Sequence, residues 1–167
     1  YLQAAEPGYL VMMAPEFRRT ETMPTLIHRR VDALRRGEHP SAIARLPSGW
    51  AVLGDVQFLR GYCLLLPDPV VPHLNTMTKS ARQQFLSDMT LLGDAILKVT
   101  GAIRCNYEML GNLEPALHAH VFPRFMTEPD ELKTRPVWFY DWDNAPKCDP
   151  TGHDRSLIEQ LAMELNK

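Results

Sequence analysis

The chain has 167 residues, 45% of them hydrophobic, with a net charge of −2 from 18 Lys and Arg against 20 Asp and Glu. That length suits one domain, 1–167, able to bury about two thirds of its unfolded surface. The near balance of charge argues against a dedicated nucleic-acid binder, and no run approaches the ~20 apolar residues of a membrane helix. Cys63, Cys105 and Cys148 lie far apart, with no CxxC spacing. An odd count of that kind points to reduced thiols and a cytoplasmic location. The first residue is Tyr1 and not Met, so residues are expected to precede it, and no signal peptide is visible.

Residues 1–22 read as irregular, punctuated by Pro7, Gly8 and Pro15. "MPTLIHRRVDALRRGEHP" reads as a helix, with Pro24 in its first turn, Ile27, Val31 and Leu34 on one face, and Gly37 as its stop. Arg29, Arg30, Arg35 and Arg36 are most simply its solvated face. "GWAVLGD" and "GYCLLLP" are strand candidates joined closely enough for an antiparallel hairpin. "TKSARQQFLSDMTLLGDAILKVTG" is the long helix, capped by Thr78 and closed by Gly101. Its apolar stripe is Phe85, Met89, Leu92, Ile96 and Val99. "AIRCNYEML" and "ALHAHVF" are further strands, separated by the turn "GNLEP". "FMTEPDELKTRPVWFYDWDNAP" reads as an aromatic loop, and "DRSLIEQLAMELNK" as a terminal helix using Leu157, Leu161, Met163 and Leu165. The fold class is α+β: a small antiparallel sheet with a long helix and terminal helical extensions.

Two of the six histidines fall in "ALHAHVF". Side chains alternate along a strand, so Leu117, Ala119 and Val121 face a core. Ala116, His118, His120 and Phe122 face the other way, with the imidazoles about 7 Å apart along the strand. That pair could hold a metal, hold an anion, or supply a nucleophile and its partner. Two hydrogen-bonded structural histidines are the plain alternative. Gly111-Asn112, just upstream, can offer N–H groups and an amide to an anion.

"LGNLEPALHAHVFPRF" resembles the signature of the histidine triad proteins, which are nucleotide hydrolases and nucleotidyl transferases. The nearest likeness is to a bacterial-type branch whose first triad position is not His. "GWAVLGDVQFLRGYCLLLP" resembles that family's first hairpin, and "PHLNTMT" with the long helix resembles the family's segment after that hairpin. The likeness covers about residues 45–125. It implies a histidine-triad-like fold and places the nucleophile on His118 and the third histidine on His120. The first triad position is Ala116. The ring of the nucleophile is oriented there by a backbone carbonyl, which alanine retains. Gly111 and Asn112 correspond to the phosphate turn. Asp55 resembles the residue that holds the nucleoside ribose, and Asn106 another polar pocket residue. Tyr62 stands where a histidine is common. Arg124 suits a salt bridge as well as a substrate contact.

The resemblance implies attack by neutral His118 on the α-phosphorus of a nucleotide. His120 and Asn112 would serve as partners that stabilise charge, and no metal or other cofactor is needed. Diadenosine polyphosphates and nucleoside phosphoramidates are the implied substrates. "PVWFYDW" either lines the pocket or packs beneath a loop, and packing is the simpler reading. Two rivals stand beside this one. A metal-dependent enzyme would use His118 and His120 as ligands, with His73 and Glu108 as candidate partners. A nucleotide-binding module would have lost turnover through Ala116. A homodimer is expected, because a small sheet and a long apolar helix leave faces that a second copy would cover. No nucleic-acid or membrane partner is expected.

Overall fold

The computed structural model describes residues 24–167. The irregular reading of residues 1–22 lies outside the described residues. Five strands form one antiparallel sheet: β1 (Ala42–Leu46), β2 (Gly49–Leu53), β3 (Cys63–Pro67), β4 (Arg104–Glu108) and β5 (Ala119–Arg124). Their spatial order is β1-β2-β3-β5-β4. The β2–β3 hairpin matches the sequence reading, and the two later strands expected there, β4 and β5, pair with each other. Three helices complete the α+β fold: α1 (Leu26–Arg35), α2 (Lys79–Thr100) and α3 (Arg155–Leu165). None is long and apolar enough to cross a membrane.

Every residue of β3 is buried, because both faces of the sheet are covered. Cys63 and Leu65 of β3, Ala51 and Leu53 of β2, and Ala119 and Val121 of β5 join Phe85, Leu92 and Ile96 of α2 and Leu161 of α3. Leu64 and Leu66, Val52, and Phe122 turn the other way, onto Ile27, Val31 and Leu34 of α1. The two-residue period of each strand thus feeds two separate apolar layers. Fully burying a Leu or Phe contributes about 1.5–3 kcal/mol, so β3 and β5 are the least removable elements.

Local signals set the helix ends. Thr25 caps α1, with His28 reaching back to the cap. Pro24 therefore precedes the cap and does not occupy the first turn. Glu114 fastens the same end, accepting from the Leu26 amide at 3.0 Å and from the Ala116 amide at 3.2 Å. A carboxylate is favoured at a helix N-terminus. Thr78 caps α2, and Gly101 closes it at φ 70°, a conformation costly for residues with a Cβ. Gly93, inside α2, lets β4 approach: a Cβ there would lie 2.0 Å from the Tyr107 hydroxyl.

Four further expectations need correction. β1 lies where the sequence pattern predicts no strand. It pairs with β2 across an irregularity between Ala42 and Ala44, which breaks the alternation that marks a strand. β5 begins at Ala119, later than "ALHAHVF" implies, because the Leu117 amide bonds to the Val71 carbonyl at 2.8 Å instead of joining the ladder. Arg30 is not solvated: its side chain is 16% exposed and pairs with Asp55. Met163 is 63% exposed, since Leu157 and Leu161 carry the buried stripe of α3.

Arg124 is a structural residue. Its guanidinium forms a buried fork with Glu128, with contacts of 2.7, 2.9 and 3.1 Å. It also donates to the carbonyls of Leu132, Lys133 and Arg135, and so pins the loop after β5. Burial pushes the Glu128 carboxyl up, but hydrogen bonds from Arg124, Tyr140 and the Phe125 amide hold it below its ordinary value of 4.5. The pair therefore stabilises fully above that ordinary value and loses its contribution as pH falls through the folded one. Arg124→Ala should cost about 3–5 kcal/mol, because it strands a buried carboxylate. Urea unfolding at pH 7 measures this, and the penalty should shrink towards pH 3 as Glu128 is protonated.

Candidate active site

His118 and His120 meet on the α1 side of the sheet, with ring centroids 4.8 Å apart. His118 is 7% exposed and sits one residue before β5. Its Nδ1 lies 2.8 Å from the Ala116 carbonyl oxygen. A carbonyl can only accept, so in the neutral ring Nδ1 carries the hydrogen and Nε2 keeps its lone pair. The alanine side chain takes no part in that contact, since backbone supplies it.

His120 is fixed differently. Its Nδ1 lies 2.7 Å from the Tyr62 hydroxyl. Tyr62 is 4% exposed, and among the described residues its hydroxyl has no other hydrogen-bond partner. A buried O–H needs an acceptor, so Tyr62 donates and His120 Nδ1 accepts. The ring hydrogen of His120 then sits on Nε2. Burial, and then the neighbouring His118, lower the His120 pKa to about 4. Burial also pushes the Tyr62 phenol far up, with the charge of Asp55 adding to the effect. Both groups are neutral at pH 7.

Aromatic rings wall this pair. Tyr62 stacks on Phe122 at 4.3 Å, and Trp138 stands edge-on to His120 at 5.9 Å. The Trp138 indole donates to Glu108 at 2.6 Å, and Glu108 lies opposite His120 in the β4–β5 register. Tyr140 and Trp142 pack against the apolar layer beneath. The aromatic loop therefore does both jobs, with Trp138 lining the site and its neighbours packing below.

The remaining sequence-derived candidates are more scattered. Asn106 lies on the same face of β4 as Glu108, opposite Phe122. Asn106 and Glu108 line a cleft of about 570 Å³ that also takes in Arg104 and Arg135. Gly111 and Asn112 lie in an exposed turn upstream of the histidines, and a Cβ on Gly111 would meet open space. Asp55 comes just after β2 and is engaged by Arg30. Among the described residues, no three or more His, Cys, Asp or Glu side chains are grouped to hold a metal. His73 is exposed in the loop before α2. Sequence reasoning missed Glu114 and the role of Tyr62, and left Trp138 within a segment read more simply as packing. An acidic residue two positions after Asn112, in the turn that the sequence marks for an anion, is the available signal for Glu114.

No protein-family model matches the chain, and no curated protein matches its sequence. Solved structures do. A histidine triad protein from Bradyrhizobium japonicum is 22% identical, with a TM-score of 0.62 over 78% of this chain and 94% of that one. A histidine triad protein from Marinobacter aquaeolei VT8 is 19% identical, with a TM-score of 0.64 over 86% and 98%. A hypothetical histidine triad nucleotide-binding protein from Sulfolobus tokodaii strain7 is 14% identical, with a TM-score of 0.63 over 83% and 91%. This chain has the histidine triad fold.

Proposed function

We propose that this protein is a nucleotide hydrolase or nucleotidyl transferase acting at the α-phosphate of a dinucleoside polyphosphate or a nucleoside phosphoramidate. One observation carries the reading. His118 Nδ1 is committed to the Ala116 carbonyl, which leaves Nε2 with a fixed lone pair beside His120.

The chemistry proceeds in two displacements. Nε2 of His118 attacks the α-phosphorus, the bond to the leaving group breaks, and its electron pair departs with that group. The product is a nucleotidyl-histidine. Water then attacks phosphorus, the P–N bond breaks, and its electron pair returns to Nε2. A nucleoside monophosphate is released and the proton goes to solvent. An acceptor hydroxyl or amine in place of water makes the same scheme a transfer. His120 Nε2–H, the Asn112 amide and the turn N–H groups stabilise charge on the phosphoryl oxygens. Asn106 lies along the same wall, Gly111 lets the turn approach phosphate, and Asp55 accepts from the ribose.

His118→Ala should lower turnover by several orders of magnitude, because no other side chain can form the P–N bond. His118→Asn should still bind nucleotide by calorimetry. His120→Ala should lose about 10²–10⁴-fold. Quenched wild type mixed with α-labelled substrate should carry acid-labile, base-stable label. Near wild-type rates in His118→Ala would refute the reading. Turnover should also survive dialysis against a strong chelator. If only zinc restores lost activity, a metalloenzyme is the better account.

We also propose a homodimer. β4 is a sheet edge with unpaired backbone groups. Beside it Ile103, Tyr107, Met109, Leu110 and Leu113 are exposed, Leu113 completely. A second copy of this chain fits that edge, because β4 pairing with itself across a two-fold axis satisfies the edge and covers those side chains. Light scattering at micromolar concentration should give twice 19.0 kDa. Tyr107→Lys should shift it towards monomer.

A further inference from the structure

The proposed function admits two kinds of leaving group, and the pair Tyr62–His120 separates them. We infer that Tyr62, by donating its hydroxyl hydrogen to His120 Nδ1, holds His120 as a neutral Nε2–H donor that cannot act as an acid, so that the site selects phosphoanhydrides over phosphoramidates. The inference rests on the proposed function and deepens it.

The hydrogens on His120 decide what that ring can do. Its Nδ1 already accepts from Tyr62. If Nε2–H were given to a leaving amine, the ring would become an imidazolate. The only repair within reach is for the Tyr62 hydrogen to pass to Nδ1. That leaves a tyrosinate in a residue 4% exposed, at a position where burial and nearby negative charge oppose ionisation. The alternative is for His120 to start as imidazolium. Nδ1 would then carry a hydrogen aimed at a hydroxyl whose own hydrogen has no second acceptor among the described residues, leaving one of the two unpaired. The groups facing His120 do not favour that cation. His118 beside it adds to the effect of burial in lowering the His120 pKa. Trp138 presents its ring edge-on, and Glu108, the carboxylate opposite His120, accepts from the Trp138 indole and makes no hydrogen bond to His120 among the described residues. The lowered pKa agrees with the geometry.

The two leaving groups differ in what they need. A nucleoside polyphosphate leaves as an anion of a group whose last pKa is about 6. Breaking its P–O bond at neutral pH needs donors that stabilise charge, and no proton. An amine leaving without a proton would be an amide anion, far too basic to depart. Breaking a P–N bond therefore needs an acid at the position His120 occupies. Tyr62 is thus a positioning residue that sets leaving-group preference through His120.

Two measurements test this. The first is long-range ¹H–¹⁵N NMR of the wild-type histidine rings at pH 7, with no substrate present. His120 should show a protonated Nε2 and a bare Nδ1, and should stay neutral when the pH is lowered to about 5.5, above its lowered pKa. In Tyr62→Phe the tautomers should mix. The second compares kcat/KM for diadenosine tetraphosphate and for adenosine 5′-phosphoramidate of a primary amine. The wild type should favour the polyphosphate by at least about 100-fold. Tyr62→Phe should lose about tenfold on the polyphosphate, the size of one net hydrogen bond, and the preference should narrow. Equal turnover of both substrates by wild type overturns the inference while leaving the proposed function standing, as does an Nδ1-protonated His120. No turnover of either compound, with His120 as described, refutes the proposed function and the leaving-group preference with it. The wild-type arms need no variant, so a folding defect in Tyr62→Phe does not blunt the test.

Discussion

Side-chain alternation through residues 116–122 is the constraint on which the rest of this structure depends. Leu117, Ala119 and Val121 enter the layer under α2, while Ala116 and Phe122 enter the layer under α1. The histidines share the second face. A register slip of one residue would drive both imidazoles against α2 and turn Val121 out of that layer. The apolar requirement of the first layer is what fixes the chemistry of the second. The flanking strands enforce it, since β3 and β4 clamp β5 from both sides.

Placing polar groups on a largely covered face has a consequence. Each needs a partner, because an unpaired buried polar group costs about 1–3 kcal/mol. His118 has the Ala116 carbonyl, His120 has Tyr62, and Glu108 has Trp138. Below them Glu128 has Arg124. These partners come from four segments: the turn before β5, the end of the β2–β3 link, the aromatic loop, and β5 itself. Satisfying the site therefore also ties those segments together. The Arg124–Glu128 fork holds the loop that presents Trp138, so a bond with no role in chemistry decides where the wall of the site stands.

Much of the fold is legible in the sequence because its strongest signals are local. α2 carries a hydroxyl cap, a regular stripe and a glycine stop. β3 is an unbroken apolar run, and its burial on both faces is what such a run implies. β1 is illegible because it carries Arg45 and is interrupted at the point where its register shifts. Its existence depends on β2 beside it, which no local pattern reveals. The histidine pair is legible by spacing and the faces by alternation. Tyr62 is visible only as a departure from a resemblance. Its contact with His120 spans 58 positions, and only the β3–β5 pairing brings the two together. Glu114 and Trp138 are hidden for the same reason: each is defined by a partner distant in sequence.

Asp55 and Arg30 show how a residue can be read correctly in kind and incompletely in setting. Asp55 is expected to accept from a ribose, and its side chain is 61% exposed. Arg30, from the face of α1 that the sequence marks as solvated, is paired with it. The two statements are compatible. A carboxylate has about four acceptor sites, and a single guanidinium uses at most about two. A pair this exposed on one side contributes at most about 1 kcal/mol, so it orients the carboxylate more than it occupies it. Arg30 also sits on the helix whose start is fastened by Glu114 to the backbone just ahead of His118. A nucleotide held by Asp55 and His118 would thus be gripped at both ends by groups tied to α1. Under the proposed function, α1 is the element whose docking couples recognition of the nucleoside to placement of its phosphate.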